Sequence, residues 1–339
     1  MISSLRRRFN GTRWLVGATA AVGIGLLART VASVDVDLLS NQLHSIRIVL
    51  PLVLVLAGVR FAFQAEGWRL AAKGADGLQR GETFVAVVAG ESAGYFALGP
   101  VSREPIKASF IAHRVDQRVG LAAAVAERVA YSAAAAALSI LGLGILAIRH
   151  GHGASFAMGV LVFLAVIAIA WRMRSEKCRA ILLPQGRKTT LATLREMADD
   201  LRNRRAAIIG MATFALLQEA SNVFEAYLVM ALLGATPSLA GIIVLEGVSR
   251  LVNAAGQFIP GKLGVSEASS TALAAALNLG GSYGLSLALA RRARSLAWGA
   301  IGLALLAHRA ATGLPSSDQG RRSAAGVATI ACLNLAASR

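Results

Sequence analysis

The stretch GIIVLEGVSRLVNAAGQFIPGKLGVSE, residues 241–267, contains two patterns that lead to opposite fold classes. Gly256, Gly261 and Lys262 match the G-x-x-x-x-G-K spacing of a phosphate-binding loop. Such a loop also requires a Ser or Thr at the next position, where Leu263 stands, and a β-strand before it. The residues that precede the loop therefore decide between a nucleotide-binding α/β fold and a helical fold.

Those preceding residues have the pattern of a helix. Glu246, Arg250 and Asn253 follow one another at intervals of four and three residues, which places them on or near one helical face. The surrounding residues are apolar, and nothing in the stretch indicates a strand. The interpretation as a phosphate loop therefore fails, and no ATP hydrolysis is expected.

The second half of the stretch is instead typical of a break between two helices at membrane depth. Pro260, Gly261 and Gly264 interrupt the helical pattern. We expect Ser266 to cap the next helix, with Glu267 in its first turn, where a carboxylate is favoured by the helix dipole. The N–H groups at the start of that helix would then be able to hold an anionic headgroup.

The composition places the whole chain in a membrane. Of its 339 residues, 55% are hydrophobic and only 16% are charged, whereas soluble domains carry roughly 25% charged residues. The mean hydropathy is +0.59. We predict an all-α fold, a polytopic membrane helix bundle of about eight transmembrane helices with re-entrant or broken segments. The candidate spans are 14–33, 47–66, 120–148, 154–171, 206–233, 239–258, 265–281 and 284–308.

The charge distribution argues against nucleic acid as a partner. Lys and Arg number 35 against 18 acidic residues, a net charge of +17, yet aromatic residues make up only 6%. The basic residues cluster between apolar segments, which is typical of cytoplasmic anchoring against anionic lipids. We expect an integral protein of the bacterial inner membrane with both termini in the cytoplasm. Its membrane domain would cover residues 1–309, and residues 310–339 would form a weakly ordered tail. Cys178 and Cys332 lack metal-ligand spacing, so we expect no metal or cofactor.

A shorter apolar piece at residues 83–99 conflicts with a simple crossing. A full crossing would place Arg103 and Lys107 outside, against the positive-inside tendency. A re-entrant segment that turns back near Gly99 and Pro100 removes the conflict. Because non-helical backbone at membrane depth is tolerated only in protein or beside water, this interpretation predicts a polar cavity.

Charged and polar residues inside or beside the apolar segments are the candidate substrate-binding residues. Each charge costs roughly 2.5–3.5 kcal/mol at a helix centre. Two interpretations stay open: structural ion pairs between helices, or a hydrated interior that binds a substrate. The candidates are Glu91, Arg103, Glu104, Lys107, Glu127, Arg128, Glu246, Arg250, Asn253, Lys262, Glu267, Arg291 and Arg292. The predicted structural breaks are Gly99, Pro100, Pro105, Pro260, Gly261 and Gly264.

The broken segment at residues 241–267 has an earlier counterpart, ESAGYFALGPVSREPIKASF, at residues 91–110. In each, an acidic residue follows the break and an arginine stands 24 residues later (128−104 and 291−267). Transporters often carry two broken helices in corresponding halves, close to the substrate. We therefore expect the two breaks to line one polar cavity, although a single equal spacing does not establish an internal repeat.

Two blocks of sequence resemble the lysylphosphatidylglycerol synthase transmembrane family. They are FALGPVSREPIKASFIAHRV with AERVAYSAAAAAL, and GVSRLVNAAGQFIPGKLGVSEASSTALAAALNLG with LALARRARSLAWGAIGL. The likeness extends over most of residues 45–308, and the second block is similar to members associated with hopanoid or other polycyclic lipid transport. By position, the family's polar motifs fall on Glu104, Pro105, Lys107, Glu127, Arg128, Pro260, Gly261, Gly264, Glu267 and Arg292.

This resemblance implies an integral membrane protein that moves or flips lipids. Some members carry an additional soluble domain that transfers lysine to phosphatidylglycerol, and because its few hundred residues are not present, lysine transfer is not expected. We therefore expect a flippase-like lipid transporter rather than an enzyme, with membrane lipids and a lipid-biosynthesis enzyme as its partners.

Two alternatives stay open: a membrane-embedded transferase, and a non-transporting accessory subunit in lipid or cell-envelope biosynthesis. The transferase has no support from an H-E-x-x-H, C-x-x-C or G-x-S-x-G motif.

Overall fold

The structure is a computed structural model and describes residues 36–72, 78–96, 100–150, 204–255 and 264–312. Every regular element in these ranges is a helix, which confirms the predicted all-α class. We label them α1 (Val36–Ala71), α2 (Arg80–Phe96), α3 (Pro100–Phe110), α4 (Gln117–His150), α5 (Arg205–Leu232), α6 (Leu239–Ala255), α7 (Val265–Ala276) and α8 (Gly281–Thr312).

Three helices in the described ranges are long and apolar enough to cross a membrane. They are Val49–Ala71 in α1, Val119–Ile148 in α4 and Arg205–Leu232 in α5. Large apolar side chains on them face outward, including Val55, which is 64% exposed, and Ile209, which is 66% exposed. Such surfaces are unfavourable in water but match the hydrocarbon of a bilayer. The fold is therefore consistent with the predicted helical membrane bundle.

The predicted span at 265–281 is wrong as a continuous helix. Helix α7 ends at Ala276 after 12 residues, a length of about 18 Å, which is short for the hydrocarbon core. Positive φ angles at Asn278 (57°) and Gly280 (90°) turn the chain there. The predicted spans 14–33 and 154–171 lie outside the described residues, as does the predicted tail beyond residue 312.

The order of the helices repeats along the chain. Helices α1 to α4 have 36, 17, 11 and 34 residues. Helices α5 to α8 have 28, 17, 12 and 32 residues. Among the described residues, each set contains a long helix, a shorter one, a very short helix and a second long helix, in that order. This succession supports the internal repeat that the sequence indicated only by one equal spacing.

The described residues divide into two compact units. The first, which we call the Lys107 unit, has a core of tightly packed small residues around the fully buried Trp68 and Ile111. The indole Nε1 of Trp68 donates to the carbonyl oxygen of Gly120 at 3.1 Å. Alanine predominates in this core, and small side chains let helices approach closely where the hydrophobic effect between helices is absent. The unit contains residues 54–72, 78–96, 100–134, 204–221 and 294–312.

The second unit, the Arg291 unit, also depends on close approach of helices. A Cβ atom built on Gly247 of α6 would lie 2.7 Å from the carbonyl oxygen of Leu138 in α4. One built on Gly142 of α4 would lie 2.9 Å from the carbonyl oxygen of Ile243. These glycines let the two backbones touch, as small residues do at helix crossings in membranes. The unit contains residues 36–53, 135–150, 222–255 and 264–293.

Candidate functional site: buried charge clusters in two units

In the Lys107 unit, helices α2 and α3 form an antiparallel hairpin that places charged residues inside the protein. Gly90 of α2 faces α3, and a Cβ atom built there would overlap the Cγ of Lys107 and lie 2.9 Å from the carbonyl oxygen of Arg103. The absence of a side chain at Gly90 therefore makes room for the aliphatic part of Lys107.

Lys107 is the centre of the first charge cluster. Its side chain is fully buried, and its ammonium lies 2.9 Å from Glu104 and 3.3 Å from Glu127. The ammonium also lies 5.5 Å from the centre of the Trp68 ring, within the range of a cation–π interaction. Glu127 is only 3% exposed. One cation thus connects α3 to the long helix α4 in surroundings where an unpaired charge would be very costly.

Glu91 connects three helices in the same unit. Its Oε2 lies 3.2 Å from Nη2 of Arg103 in α3, and its Oε1 accepts a hydrogen bond of 3.1 Å from Nε2 of Gln64 in α1. Arg128 follows Glu127 on α4, with its guanidinium 5.1 Å from the centre of the Tyr131 ring. The acidic Glu91 is therefore the common acceptor of this second cluster.

The two ends of the α2–α3 hairpin lie side by side. Nη2 of Arg114, after α3, donates to Oε1 of Glu82 in the first turn of α2 at 3.1 Å, and His113 lies 3.5 Å from the same oxygen. Burial alone would raise the pKa of Glu82, but the hydrogen bond and the charge of Arg114 outweigh it and hold that pKa below its usual range. A re-entrant segment needs this arrangement, because it enters and leaves the membrane at the same surface and its two ends must therefore lie at the same depth.

The predicted breaks have different outcomes. Pro100 is the first residue of α3, a position where the missing N–H has no helical partner to lose. Pro105 does not interrupt a helix, so that part of the prediction is wrong. It lies inside α3, close enough to the first residue of α3 that the helix continues through it. Gly264 is the N-cap of α7, with a left-handed φ of 77° that favours glycine. Gly99, Pro260 and Gly261 lie outside the described residues.

The expected cap at Ser266 is also wrong, because α7 begins two residues earlier than the sequence pattern indicated. The hydroxyl of Ser266 instead donates to Oδ1 of Asn253 in α6 at 2.9 Å. Glu267 does lie in the first turn of α7, as predicted. The side chain that was expected to start a helix therefore connects the helices on either side of the break.

Arg291 of α8 is the centre of the charge cluster in the Arg291 unit. Its Nε donates to Glu225 of α5 at 2.9 Å, and its Nη1 donates to Glu246 of α6 at 2.8 Å. Its Nη2 donates to the carbonyl oxygen of Asn222 at 3.2 Å. Both carboxylate side chains are 3% exposed. The rigid fork of the guanidinium thus binds two carboxylates from two other helices, a geometry that lysine cannot reproduce.

The neighbouring Arg292 makes a second ion pair in this unit. Its Nε donates to Oε1 of Glu267 at 2.7 Å, and the Glu267 side chain is 1% exposed. The other carboxylate oxygen, Oε2, is buried and has no hydrogen-bond partner within the described ranges. Arg250 lies 3.8 Å from Glu246, one helical turn away. The short helix α7 is therefore joined to α8 by one strong, charge-assisted hydrogen bond.

Twelve of the thirteen predicted site residues lie in the described ranges and fall into two sets. Glu91, Arg103, Glu104, Lys107, Glu127 and Arg128 belong to the Lys107 unit, and Glu246, Arg250, Asn253, Glu267, Arg291 and Arg292 belong to the Arg291 unit. Lys262 lies outside the described residues. The cavity predicted between the two breaks involves residues near Pro260, which are also outside them, so it stays a prediction.

The list of candidate site residues left out three polar residues that complete these clusters, Gln64, Asn222 and Glu225, although the sequence shows Glu225 as a charge inside an apolar segment. Gln64 and Asn222 are uncharged and were not distinguished from their apolar neighbours. Glu225 stands in the same apolar helix as Asn222, three residues later, and so on the same face. The shared face of Asn222 and Glu225 is the signal that would have added both residues to the list of candidates.

Long apolar helices, breaks at glycine and proline, and charges paired in the interior define a polytopic helical membrane protein. A family model for the lysylphosphatidylglycerol synthase TM region matches residues 14–303, and the chain belongs to this family. No curated protein and no solved structure matches the chain. The family places the chain among membrane proteins of lipid or cell-envelope processes.

Proposed function

We propose that this chain translocates an amphipathic membrane lipid between leaflets without changing its chemistry. The lipid would be anionic or polycyclic, its headgroup would pass through a polar interior, and its tails would stay in the bilayer. The observation that carries the proposal is the arrangement around Arg291, where one guanidinium binds Glu225 and Glu246 from two other helices. An intramembrane cation of this kind, paired and inside an apolar bundle, is the usual mark of a substrate or ion pathway.

The arrangement supports exchange of one anion for another. A guanidinium fork binds phosphate with the same two-pronged geometry as carboxylate. An incoming phosphate would replace one carboxylate of Arg291 while the other continues to hold the arginine in place. The displaced carboxylate would need a proton or water, since an unpaired buried charge is costly. Headgroup entry is thereby linked to small movements of α5 or α6 relative to α8.

The same carboxylates favour transport over a purely structural role for the clusters. Replacing a buried ion pair by apolar residues of similar volume is often neutral or stabilising, so stability alone does not require such pairs. Glu267 illustrates the point, because its carboxylate is almost fully buried and its charge is held there by Arg292.

Purified protein in liposomes tests the proposal. A headgroup-labelled fluorescent phospholipid is placed in both leaflets, an impermeant quencher is added outside, and the extra loss of signal measures lipid that has changed leaflet. Lipids are then extracted and examined by mass spectrometry. We expect accelerated movement with unchanged lipid chemistry. A new lipid product would instead identify a transferase, and neither movement nor product would favour an accessory subunit of a lipid-biosynthesis enzyme.

Matched variants assign the movement to the charge clusters. Glu246→Gln and Arg292→Gln should slow movement at least tenfold, because each removes one partner of a buried pair. Arg205→Gln is the control, since this arginine is exposed at the start of α5. Wild-type rates in both cluster variants would remove the assignment of the site, while leaving open transport by another route.

A further inference from the structure

Lys107 differs from Arg291 in the way it meets its two carboxylates. Oε2 of Glu104 and Oε2 of Glu127 lie 2.9 Å and 3.3 Å from the same ammonium nitrogen. The side chain of Lys107 is fully buried, and those of the two glutamates are 12% and 3% exposed. Because both oxygens contact one atom, the two carboxylates also lie close to each other. Like charges at such short range inside a protein favour the binding of one proton by the pair.

The surroundings of Arg291 show the difference. Arg291 binds its two carboxylates through separate groups, since Nε donates to Glu225 and Nη1 donates to Glu246. Arg250 then places a second cation 3.8 Å from Glu246. Two carboxylates are therefore matched by two arginines in that cluster. In the Lys107 unit, one ammonium nitrogen holds two carboxylates by direct contact.

The charges around Glu127 come from three helices, α2, α3 and α4. They belong to Glu91, Glu104, Lys107 and Arg128. Arg128 adds positive charge, but adjacent residues on a helix point in different directions, and its guanidinium lies 5.1 Å from the centre of the Tyr131 ring. Helix α1 faces Glu127 with Gly67, where a Cβ atom would lie 3.7 Å from Cγ of Glu127. The direct contact that the structure describes for Glu127 is therefore the ammonium it shares with Glu104.

Glu104 allows Glu127 to become neutral without leaving a charge unpaired. Glu104 and Lys107 stand three residues apart on α3, about one helical turn, so this ion pair does not depend on α4. When Glu127 is charged, the ammonium also forms an ion pair with α4. When Glu127 carries a proton, a weaker hydrogen bond replaces that ion pair, and Lys107 keeps Glu104 as its counter-ion. The strength of the connection between α3 and α4 thus depends on one proton.

A pocket beside the charge clusters has room for water. Its volume is about 80 Å³, and the side chain of Glu91 forms part of its wall. A water molecule needs about 10–15 Å³ of such space, so several fit. Glu91 is also one of the charges that act on Glu127. A proton carried by water in this pocket would therefore arrive beside the acidic residues of the unit.

We propose that Glu104 and Glu127 together bind one proton, that Glu127 carries it, and that its binding and release accompany lipid movement. In this step a proton from water bonds to a carboxylate oxygen of Glu127, and the ion pair between Glu127 and Lys107 is lost. Lys107 stays protonated and paired with Glu104, and release of the proton to water restores the first state. The link to lipid movement rests on the proposed transport function, whereas the proton site rests on these three side chains.

Infrared difference spectroscopy of the full-length protein in detergent tests the proton site. Spectra recorded at about pH 6 and about pH 9 are subtracted, since exposed glutamates titrate near about pH 4.3 and are ionised at both values. The wild type should show the C=O stretching band of a carboxylic acid, and Glu127→Gln should lose it. Glu104→Gln should also lose it, because the repulsion that favours the proton is gone. Glu267→Gln is the matched control: its buried carboxylate is paired with Arg292, and the band should stay.

Two results would overturn the proton site: a wild type without the band, or a band that persists in Glu127→Gln. If Glu127→Gln does not fold, Glu127→Asp decides instead. This variant keeps a titratable carboxyl in altered surroundings and should shift the band. An unshifted band would show that the proton lies elsewhere.

The liposome assay of leaflet movement tests the link to transport at the same two pH values. The wild-type rate should change at least fivefold between them, and the rate of Glu127→Gln should change less than twofold. The exposed control Arg205→Gln should keep the wild-type dependence. Movement that is independent of pH in the wild type overturns the link. If no lipid moves, the link fails with the proposed function while the infrared band still decides the proton site, and lipid movement stands if the band is missing.

Discussion

The Lys107 unit contains the short helices α2 and α3, and the Arg291 unit contains the short helices α6 and α7, but the ion pair that joins the very short helix to a long helix has opposite polarity in the two units. In the Lys107 unit the short helix α3 carries the cation, Lys107, and the long helix α4 carries the anion, Glu127. In the Arg291 unit the short helix α7 carries the anion, Glu267, and the long helix α8 carries the cation, Arg292. The connection between short and long helix is retained, and its polarity is reversed.

The clusters around Glu91 and Arg291 also have centres of opposite charge. Glu91 is an acceptor that receives hydrogen-bond or ion-pair donors from Gln64 and Arg103. Arg291 is instead a donor, and its guanidinium donates hydrogen bonds to Glu225 and Glu246. The comparison shows that these positions require neutralisation of charge, since an unpaired buried charge is costly whichever sign it has. The Lys107 unit has one cluster around the ammonium of Lys107 and one around the carboxylate of Glu91, whereas the cluster of the Arg291 unit is centred on a guanidinium.

The largest expected effect comes from removing the guanidinium centre. Arg291→Met leaves two carboxylates buried without their shared donor and should destabilise the protein by about 3–5 kcal/mol. Adding Glu225→Gln and Glu246→Gln to this variant should restore part of the loss. Thermal unfolding in detergent measures both effects, with Arg205→Met as the exposed control. An unchanged unfolding midpoint in Arg291→Met would contradict the central role given to this residue.

Exchanging the two charges of the ion pair between Glu267 and Arg292 tests whether either polarity is tolerated at these positions. Glu267→Lys and Arg292→Glu should each destabilise by roughly 3 kcal/mol, because each places two like charges together. The double variant restores an ion pair with the polarity found in the Lys107 unit. A double-mutant cycle should therefore give a coupling of about 2 kcal/mol or more. If the double variant instead loses the sum of the two single losses in stability, the original polarity is required. The two units would then be less alike than the comparison of their ion pairs indicates.

A glycine pair within α2 tests the close packing that positions Lys107. Gly90→Ala should destabilise by about 1–3 kcal/mol, because its Cβ overlaps Lys107 and approaches the carbonyl oxygen of Arg103. Gly81→Ala is the matched control in the same helix, since nothing lies within 4 Å of a Cβ built there. It should be neutral, or stabilising by up to about 1 kcal/mol from helix propensity. Equal unfolding midpoints for the two variants would contradict the packing argument.

The smallest effect concerns pH at the open end of the α2–α3 hairpin. The lowered pKa of Glu82 means that its pairing with Arg114 stabilises the fold above the ordinary pKa of glutamate, about 4.3. This stabilisation is lost as the pH falls through the lower folded value. Because Arg114 is partly exposed, its ion pair with Glu82 should stabilise the fold by no more than about 1 kcal/mol.

Arg114→Ala should reduce the difference in stability between pH 7 and pH 3, as measured by thermal unfolding at both values. The contact between Asn253 and Ser266 in the Arg291 unit is neutral and offers a comparison without titration. Asn253→Ala should therefore leave the pH dependence unchanged. An identical pH dependence in the wild type and Arg114→Ala would show that Glu82 gains nothing from its partner.

Much of the fold was predictable because membranes restrict the choice. Apolar runs required helices, and Pro100 and Gly264 stand where helices begin. Close pairs such as Glu104 with Lys107 were also predictable, since three residues is one helical turn. The prediction for residues 265–281 was wrong because apolar composition does not reveal a turn, and the turn depends on the backbone of Asn278 and Gly280.

The site was predictable as a set of residues but not as a set of contacts. Gln64 was overlooked because one amide hardly lowers the average hydropathy of an apolar span. Glu127 and Arg128 are neighbours in sequence, yet Glu127 binds Lys107 of another helix. Adjacent residues on a helix point in different directions, so sequence proximity was misleading here.

The sequence by itself determined that this chain is helical, lies in a membrane and carries an unusual number of charges among apolar residues. Only the tertiary structure decided which carboxylate meets which cation. Lys107 and Glu127 are 20 residues apart, and Arg291 and Glu225 are 66 apart. The physical reason is that desolvation makes every buried charge require a partner, while the choice of partner depends on which helix faces can approach each other, as at Gly90.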